Sequence, residues 1–296
     1  MPYTGTGDIS DTIQTVISEA RYTEQIKEII SGVCWRITKP LHDGSTINLP
    51  YWGTVSANNL TEGIDMVSPQ AMEDTNVQFT PGEVGAQIVL TDKVARDNNE
   101  DVLRAAGRIL GEAMIAKREQ DLAGQFTDAT TDLGGTGSVA TLGIIAAARA
   151  TLAGNSLANG GPAPMPYGVI HHPYVLLDLV DVLTPTLPTS TTPLPAVGSG
   201  IAEQTLVNYT IGRVFGMPVL ESANISIDGT PDAIGVVLSM GTGGGLVLAT
   251  ANEWGISPER DESLRATELN VVGEYAVGEY LPGWMVSLTN DATAPA

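Results

Sequence analysis

Residues 99–126 read NEDVLRAAGRILGEAMIAKREQDLAGQF and contain no proline. The spacing predicts a single helix, which at about 1.5 Å per residue would run about 40 Å. Val102, Leu103, Ala106, Ile109, Leu110, Ala113 and Met114 share one face at a helical period. Beyond Met114 that face turns polar, at Lys117, Gln120 and Asp121. Ile115, Leu122 and Phe126 then lie on roughly the opposite side, where the first half carries Arg104 and Arg108. One helix is therefore expected to meet different neighbours along its two halves, as a spine crossing a thin domain does.

Upstream, residues 45–90 change character. Val77 and Phe79, then Val84, Ala86, Ile88 and Leu90, alternate at the period of a strand. A polar segment at 57–73 precedes them, so the stretch predicts a long two-stranded excursion with a loose tip. It holds no Lys or Arg but carries Glu62, Asp65, Glu73, Asp74 and Glu83. An isolated hairpin is marginally stable in water, which points to support from a neighbouring subunit. Trp52 is the candidate anchor of such a contact, with ordinary local packing as the other reading. Residues 8–31 read as short helices, with Ile13, Val16, Ile17 and Ala20 in helical register. They are too few to enclose a core, so they are expected to form an arm lying on something else.

Downstream, a Gly-rich turn leads to Ser138 as the expected N-cap of a helix carrying Val139, Leu142, Ile145, Ala146 and Leu152. A linker at 155–166, a strand at 167–170 and a helix opened by Pro173 and running to 183 follow. Residues 184–200 form a Pro-rich exposed loop, and 201–209 read as helix. Strands are expected at 217–220, 233–240, 246–251, 267–280 and 284–288. The fold class is α+β.

Of the 296 residues, 43% are hydrophobic, enough for a sizeable core. Net charge is −20 with only 14 Lys and Arg, which disfavours gripping a phosphate backbone. Such a protein can still enclose DNA. Cys34 is the single cysteine, which excludes an internal disulfide and a Cys-based zinc site. The start, MPYTGTGDIS, has neither the basic segment nor the apolar core of a signal peptide. No run is long enough for an apolar membrane helix, and the sequons at Asn59, Asn208 and Asn224 read as chance. A soluble protein made in the cytoplasm, with no membrane partner, is expected.

Chemistry-bearing motifs are sparse. No P-loop, nucleophile elbow, H-E-x-x-H or EF-hand pattern occurs, and the Gly-rich run at 241–245 lacks the residues that complete a phosphate-binding turn. It reads as a tight turn between strands. His171 and His172, with Asp178 nearby, form the one titratable group worth testing as a metal site or a hydrolase base. Adjacent side chains rarely converge on one centre, so a strand-to-helix junction is the plainer reading. Arg104, Arg108, Lys117 and Arg118 on the long helix are interspersed with Asp101, Glu112, Glu119 and Asp121. That pattern favours an ion-paired or solvated face, at a subunit boundary, over a DNA-facing one. No catalytic residue, cofactor or metal is expected.

The order of segments, with three phrases, carries a family resemblance. VATLGIIAAARATL at 139–152 is followed by YGVIHHPYVLLDL at 167–179; IGRVFGMPVLESANI stands at 211–225 and VVGEYAVGEYLPGWMVSL at 271–288. Together they resemble the major capsid proteins of tailed bacteriophages, whose fold is shared with bacterial encapsulins and the herpesvirus capsid floor. The resemblance implies an N-terminal arm (1–38), an extended loop overlapping the next subunit (39–95) and a peripheral domain with the spine helix (96–160). An axial domain (161–245) would follow, then return strands of the peripheral domain and a tail (246–296). It implies a virion shell of hexamers and pentamers, with inter-subunit contacts at Trp52, Glu62, Asp65, Glu73, Asp74, Arg104, Arg108, Lys117 and Arg118. A separate scaffolding protein, a portal and a decoration protein are the implied partners, enclosing double-stranded DNA without sequence-specific binding. Some relatives crosslink through a Lys on this loop; residues 45–90 hold none, so no crosslink is expected. The alternatives are an encapsulin-like compartment, another virion part, and a hydrolase using His171, His172 and Asp178.

Overall fold

The computed structural model describes residues 28–39, 44–63, 65, 69–97, 101–157, 160–183, 212–281 and 283–295. The expected arm helices before residue 28, the loop at 184–200 and the helix at 201–209 lie outside these.

The long helix is α3, Asp101–Gly124, extended by a 3-10 turn at Gln125–Asp128; it follows the single turn α1 (Ile30–Val33) and the short α2 (Asp92–Asp97). Apart from Glu119, its buried positions step by four: Ala106, Leu110, Met114, Arg118, Leu122 and Phe126. Each such step rotates about 40° past a full turn, so the buried stripe winds around the helix. The first half packs on Leu90, Leu269 and Val271. The second half enters another core, where Leu122 and Phe126 meet Ile170, Leu238, Leu248 and Met285. Two neighbours for two halves is what the sequence implied, but Ile109, expected on the buried face, is 50% exposed.

The sheet under the first half of α3 has four strands. In spatial order they are β1 (Trp35–Thr38), β10 (Leu246–Asp261), β11 (Ala266–Glu279) and β4 (Gly82–Thr91). β1 runs parallel to β10, and the other pairings are antiparallel. β4 is a correction to the reading of residues 45–90 as one excursion: Val84, Ala86, Ile88 and Leu90 alternate because they face α3, not because they line a hairpin. β10 runs ten residues beyond its expected end at 251, through Pro258. β1 pairs only as far as Thr250, so Pro258 sits where that side of β10 has no partner strand and its missing N–H costs no ladder bond.

The second sheet has six strands, ordered β5 (Thr131–Gly134), β12 (Met285–Asp291), β9 (Asp232–Ser239), β6 (Tyr167–His171), β8 (Met217–Glu221) and β7 (Arg213–Val214). One face is covered by α4 (Leu142–Ala153) and α5 (Pro173–Leu183), through Ile145, Ala148, Leu152, Leu176 and Leu179. The other packs against α1 and the second half of α3. With both faces covered, β6 is buried at all five positions, which explains its run of apolar residues without alternation. β12 belongs to this sheet, paired with β9 and β5. Residues 246–296 thus divide between the sheets instead of returning together.

Local capping differs from expectation at α4. Thr141 is the N-cap, its Oγ1 accepting from the Ile144 N–H at 3.3 Å. Ser138 instead ties the loop to β12, its Oγ donating to the Thr289 carbonyl at 3.2 Å. The 241–245 run is the expected tight turn between β9 and β10. A Cβ on Gly245 would stand 2.6 Å from the Trp284 carbonyl oxygen, so glycine there serves close packing.

Candidate assembly surface

β2 (Ile47–Trp52) and β3 (Asp74–Phe79) form a separate two-stranded antiparallel hairpin, in register from Ile47–Phe79 to Trp52–Asp74. Its base is built into the subunit. Ile47 and Phe79 are buried against Val247 and Ala249 of β10, and the Tyr280 hydroxyl donates to the Pro50 carbonyl at 3.2 Å. Beyond the base the burial ends. Trp52 is 56% exposed and Met72 is 72% exposed, with Val55 and Leu60 exposed between them. The tip is held by few bonds: Gly53 N–H to the Glu73 carbonyl at 2.8 Å, and Gln70 both accepting from and donating to Ser56. Glu62, Asp65, Glu73 and Asp74 are all exposed here. An acidic ribbon that presents large apolar side chains to solvent is a surface lacking its cover.

The basic residues of α3 have separate fates. Arg104 and Arg108 are carried on the first half of the helix, and the Arg108 side chain is exposed. Lys117 is exposed and pairs with Asp121 one turn on, at 2.6 Å. Arg118 is corrected as a boundary residue: it is 4% exposed within its own subunit. Its guanidinium lies 4.0 Å from the Trp254 ring centroid and bonds Glu28 at 2.5 Å. Burial alone would raise the Glu28 carboxyl, but the Ser31 hydroxyl, Arg118 and Arg36 outweigh it and hold it below its usual range. Beside them Glu119, fully buried, accepts the N–H groups of Ile29, Ile30 and Ser31 at 2.8–3.1 Å. These are orphan donors at the start of α1, so Glu119 fixes the root of the N-terminal segment on the spine helix. The four-residue step from Met114 to Leu122 passes through Arg118, which was the available sequence signal for this burial.

The histidines do not form a site. His171 is 2% exposed and its Nδ1 accepts the His172 N–H at 2.8 Å. His172, also buried, caps α5, with Nδ1 accepting from the Tyr174 N–H at 3.2 Å. Two acceptors turned to local backbone leave no pair of imidazoles aimed at a common centre, which disfavours the hydrolase reading. A small cavity does lie beside His171, between α4, α5 and β12, and Asn290 lines it too. The Asn290 amide nitrogen bonds the Ser138 carbonyl at 3.2 Å, while His171 Nε2 and Asn290 Oδ1 are buried without a hydrogen-bond partner among the described residues. Burial pushes the His171 pKa down to about 4. Glu279, at the end of β11, is raised to about 7 by burial and then by the nearby Asp128 charge. Cys34 is buried and its thiol pushed up to about 12 by that burial, so it is unreactive at neutral pH. Among the described residues no group of three His, Cys, Asp or Glu is placed to hold a metal, and no helix is long and apolar enough to cross a membrane.

Comparison with known proteins supplies the context for this surface. No curated protein matches the chain. Among solved structures, the fold matches a chain of Mycobacterium phage Che8 at 16% identity and a TM-score of 0.64, over 83% of this chain and 85% of that one. It matches the capsid of Helicobacter pylori bacteriophage KHP30 at 13% identity and 0.68, over 98% and 100%. The capsid of Ralstonia phage GP4 matches at 11% identity and 0.67, over 100% and 99%. The family model described as phage capsid protein matches residues 75–284, from the second hairpin strand to the start of the last strand, and on that match the chain belongs to the phage capsid protein family.

Proposed function

We propose that this chain is the major capsid protein of a tailed double-stranded DNA phage and tiles a closed icosahedral shell as hexamers and pentamers. The observation that carries the reading is the β2–β3 hairpin, which exposes Trp52, Val55, Leu60 and Met72 on a ribbon that cannot bury them itself. In a phage capsid protein the cover for such a ribbon is the next copy of the chain. Heterologous contacts of this kind close into rings when the rotation between copies allows. The acidic residues Glu62, Asp65, Glu73 and Asp74 would meet bases of the neighbour, with Arg104, Arg108 and Lys117 of its spine helix as the candidates. Residues 161–245 would form the axial domain at the centres of the rings.

The net charge of −20 supports a shell that encloses DNA without gripping it. Synthesis in the host cytoplasm, a separate scaffolding protein, a portal and a decoration protein belong to the same proposal. A cellular compartment of the same architecture is disfavoured by the family match.

Negative-stain electron microscopy of the purified chain tests the reading. Closed shells, or rings of five or six, are expected, and deleting residues 54–77 should leave a folded subunit that forms neither. Normal shells from that deletion would sink the proposed role of the hairpin.

A further inference from the structure

The four-stranded sheet has two faces, and α3 covers only one. On the other, the hairpin base closes the end near Ala276 and Gly278, where Phe79 packs. Outward from there no described residue covers β4, β10 and β11. The register fixes what they display. Glu83 stands directly opposite Glu274, and Glu259 directly opposite Glu268. Val272, 49% exposed, lies between these pairs in the middle strand. Gln87 donates to Glu268 across this face at 2.9 Å.

Among the described residues no Lys or Arg forms an ion pair with these carboxylates. Arg260 is the single base in the three strands, and it points to the helix side, where it pairs bidentately with Asp92. Directly opposed like charges destabilise a sheet, and a face serving only solvation would be stabler with bases interleaved. Two such pairs around an exposed valine, on a face that no described residue covers beyond the hairpin base, point to a partner of opposite charge.

We infer that this face docks a Lys/Arg-rich segment of a second, different protein, with the bases on the glutamate pairs and an apolar side chain over Val272. A second copy of the chain is the poorer complement. Its net charge is −20, and of its 14 bases Arg36, Lys117, Arg118 and Arg260 are already ion-paired within the subunit. The inference rests on the register and charge of the sheet and not on shell assembly.

The test uses the purified full-length chain and fluorescently labelled octalysine, read by anisotropy at low and high salt. The chain should bind with an affinity that falls as salt rises. The triple variant E83Q/E259Q/E274Q should bind about tenfold more weakly, the sum of a few exposed ion pairs. It should also melt about 2 °C higher, because like-charge contacts are relieved. The variant D97N/E112Q/E221Q removes equal charge elsewhere and should bind as the unmodified chain does. Equal weakening in both variants would mean general attraction to an acidic protein and would overturn the assignment. So would absence of binding by the unmodified chain, or a lowered melting temperature in the face variant, which would make the glutamates structural.

Discussion

The six-stranded sheet and the β2–β3 hairpin use similar residues to opposite ends. β9 is buried at seven of its eight positions and β6 at all five, held between two helices on one side and the spine helix on the other. β2 and β3 each bury one residue, Ile47 and Phe79, both at the base. Valine, leucine and methionine occur in both regions, so composition does not separate them. The number of layers does. A strand with cover on both faces gains stability from every apolar side chain, whereas a ribbon with cover on neither gains none until something else arrives. The first region makes the subunit, and the second is free to make contacts between subunits.

Substitutions in the two regions should separate by readout. The largest effect is expected at Phe126, which is fully buried where the two halves of the subunit meet. Phe126→Ala should cost about 3–5 kcal/mol in urea unfolding, from lost burial and the cavity left behind. A loss under about 1 kcal/mol would show that the spine helix does not bind the two cores together.

Next in size is a pH effect at His171. The unfolded imidazole takes a proton near its ordinary value of 6.5, but the buried one resists until about 4. The stability contributed by neutral His171 is therefore complete above pH 6.5 and drains as pH falls toward 4, by about 3 kcal/mol. Glu279 acts with the opposite sign: raised to about 7 from 4.5, it contributes stability below pH 4.5 that is lost as pH rises through 7. The two slopes oppose each other between pH 4.5 and 6.5. Unfolding curves across this range should steepen for Glu279→Gln and flatten or invert for His171→Gln; unchanged slopes in both would refute the assignments.

Glu119→Gln should cost about 1–3 kcal/mol, since one of the two carboxylate oxygens that receive three N–H groups becomes a donor. Hydrogen exchange should localise the loosening to Ile29, Ile30 and Ser31. The smallest effect on the subunit belongs to Trp52→Ala, within about 0.5 kcal/mol of the unmodified chain, as for an exposed site. If the hairpin is the assembly surface, the same variant should nevertheless lose rings and shells in the microscope. A large unfolding effect with normal shells would reverse the comparison.

Elements with a strong period were legible from the chain alone. The spine helix, α5 and the strands at β6, β8, β9 and β11 lie within a residue or two of their expected ends, because their apolar spacing reflects the cores that they face. The elements that escaped have little pattern of their own. β1 is four residues long, and β5 pairs in parallel with the distant β12. The outer half of β10 is polar and interrupted by Pro258, with a bulge near Asn252 where Trp254 turns onto Arg118. The burial of Glu119 was invisible for a related reason, and that of Arg118 was signalled only by the four-residue step of the helix. Charged residues in a helix read as surface unless their partners are known, and Glu28 and the backbone of α1 are about ninety positions away. At the hairpin, the acidic charge and Trp52 were readable, but the separation of β4 from it was not, since alternation reports a covered face without naming what covers it.

The strand order also governs timing. β11 and β12 follow all the other described strands in the chain, yet both occupy interior positions, β11 between β10 and β4, and β12 between β5 and β9. A ribosome that has finished β10 still holds a chain in which β4 and β5 have no neighbour to pair with. Neither sheet can close until these two strands emerge, and closure must then join residues as far apart as Gly82 and Tyr275, which is slow for a chain of any stability. Emergence of β11 and β12 is thereby made a condition of folding, and a copy that lacks them has no means to close either sheet.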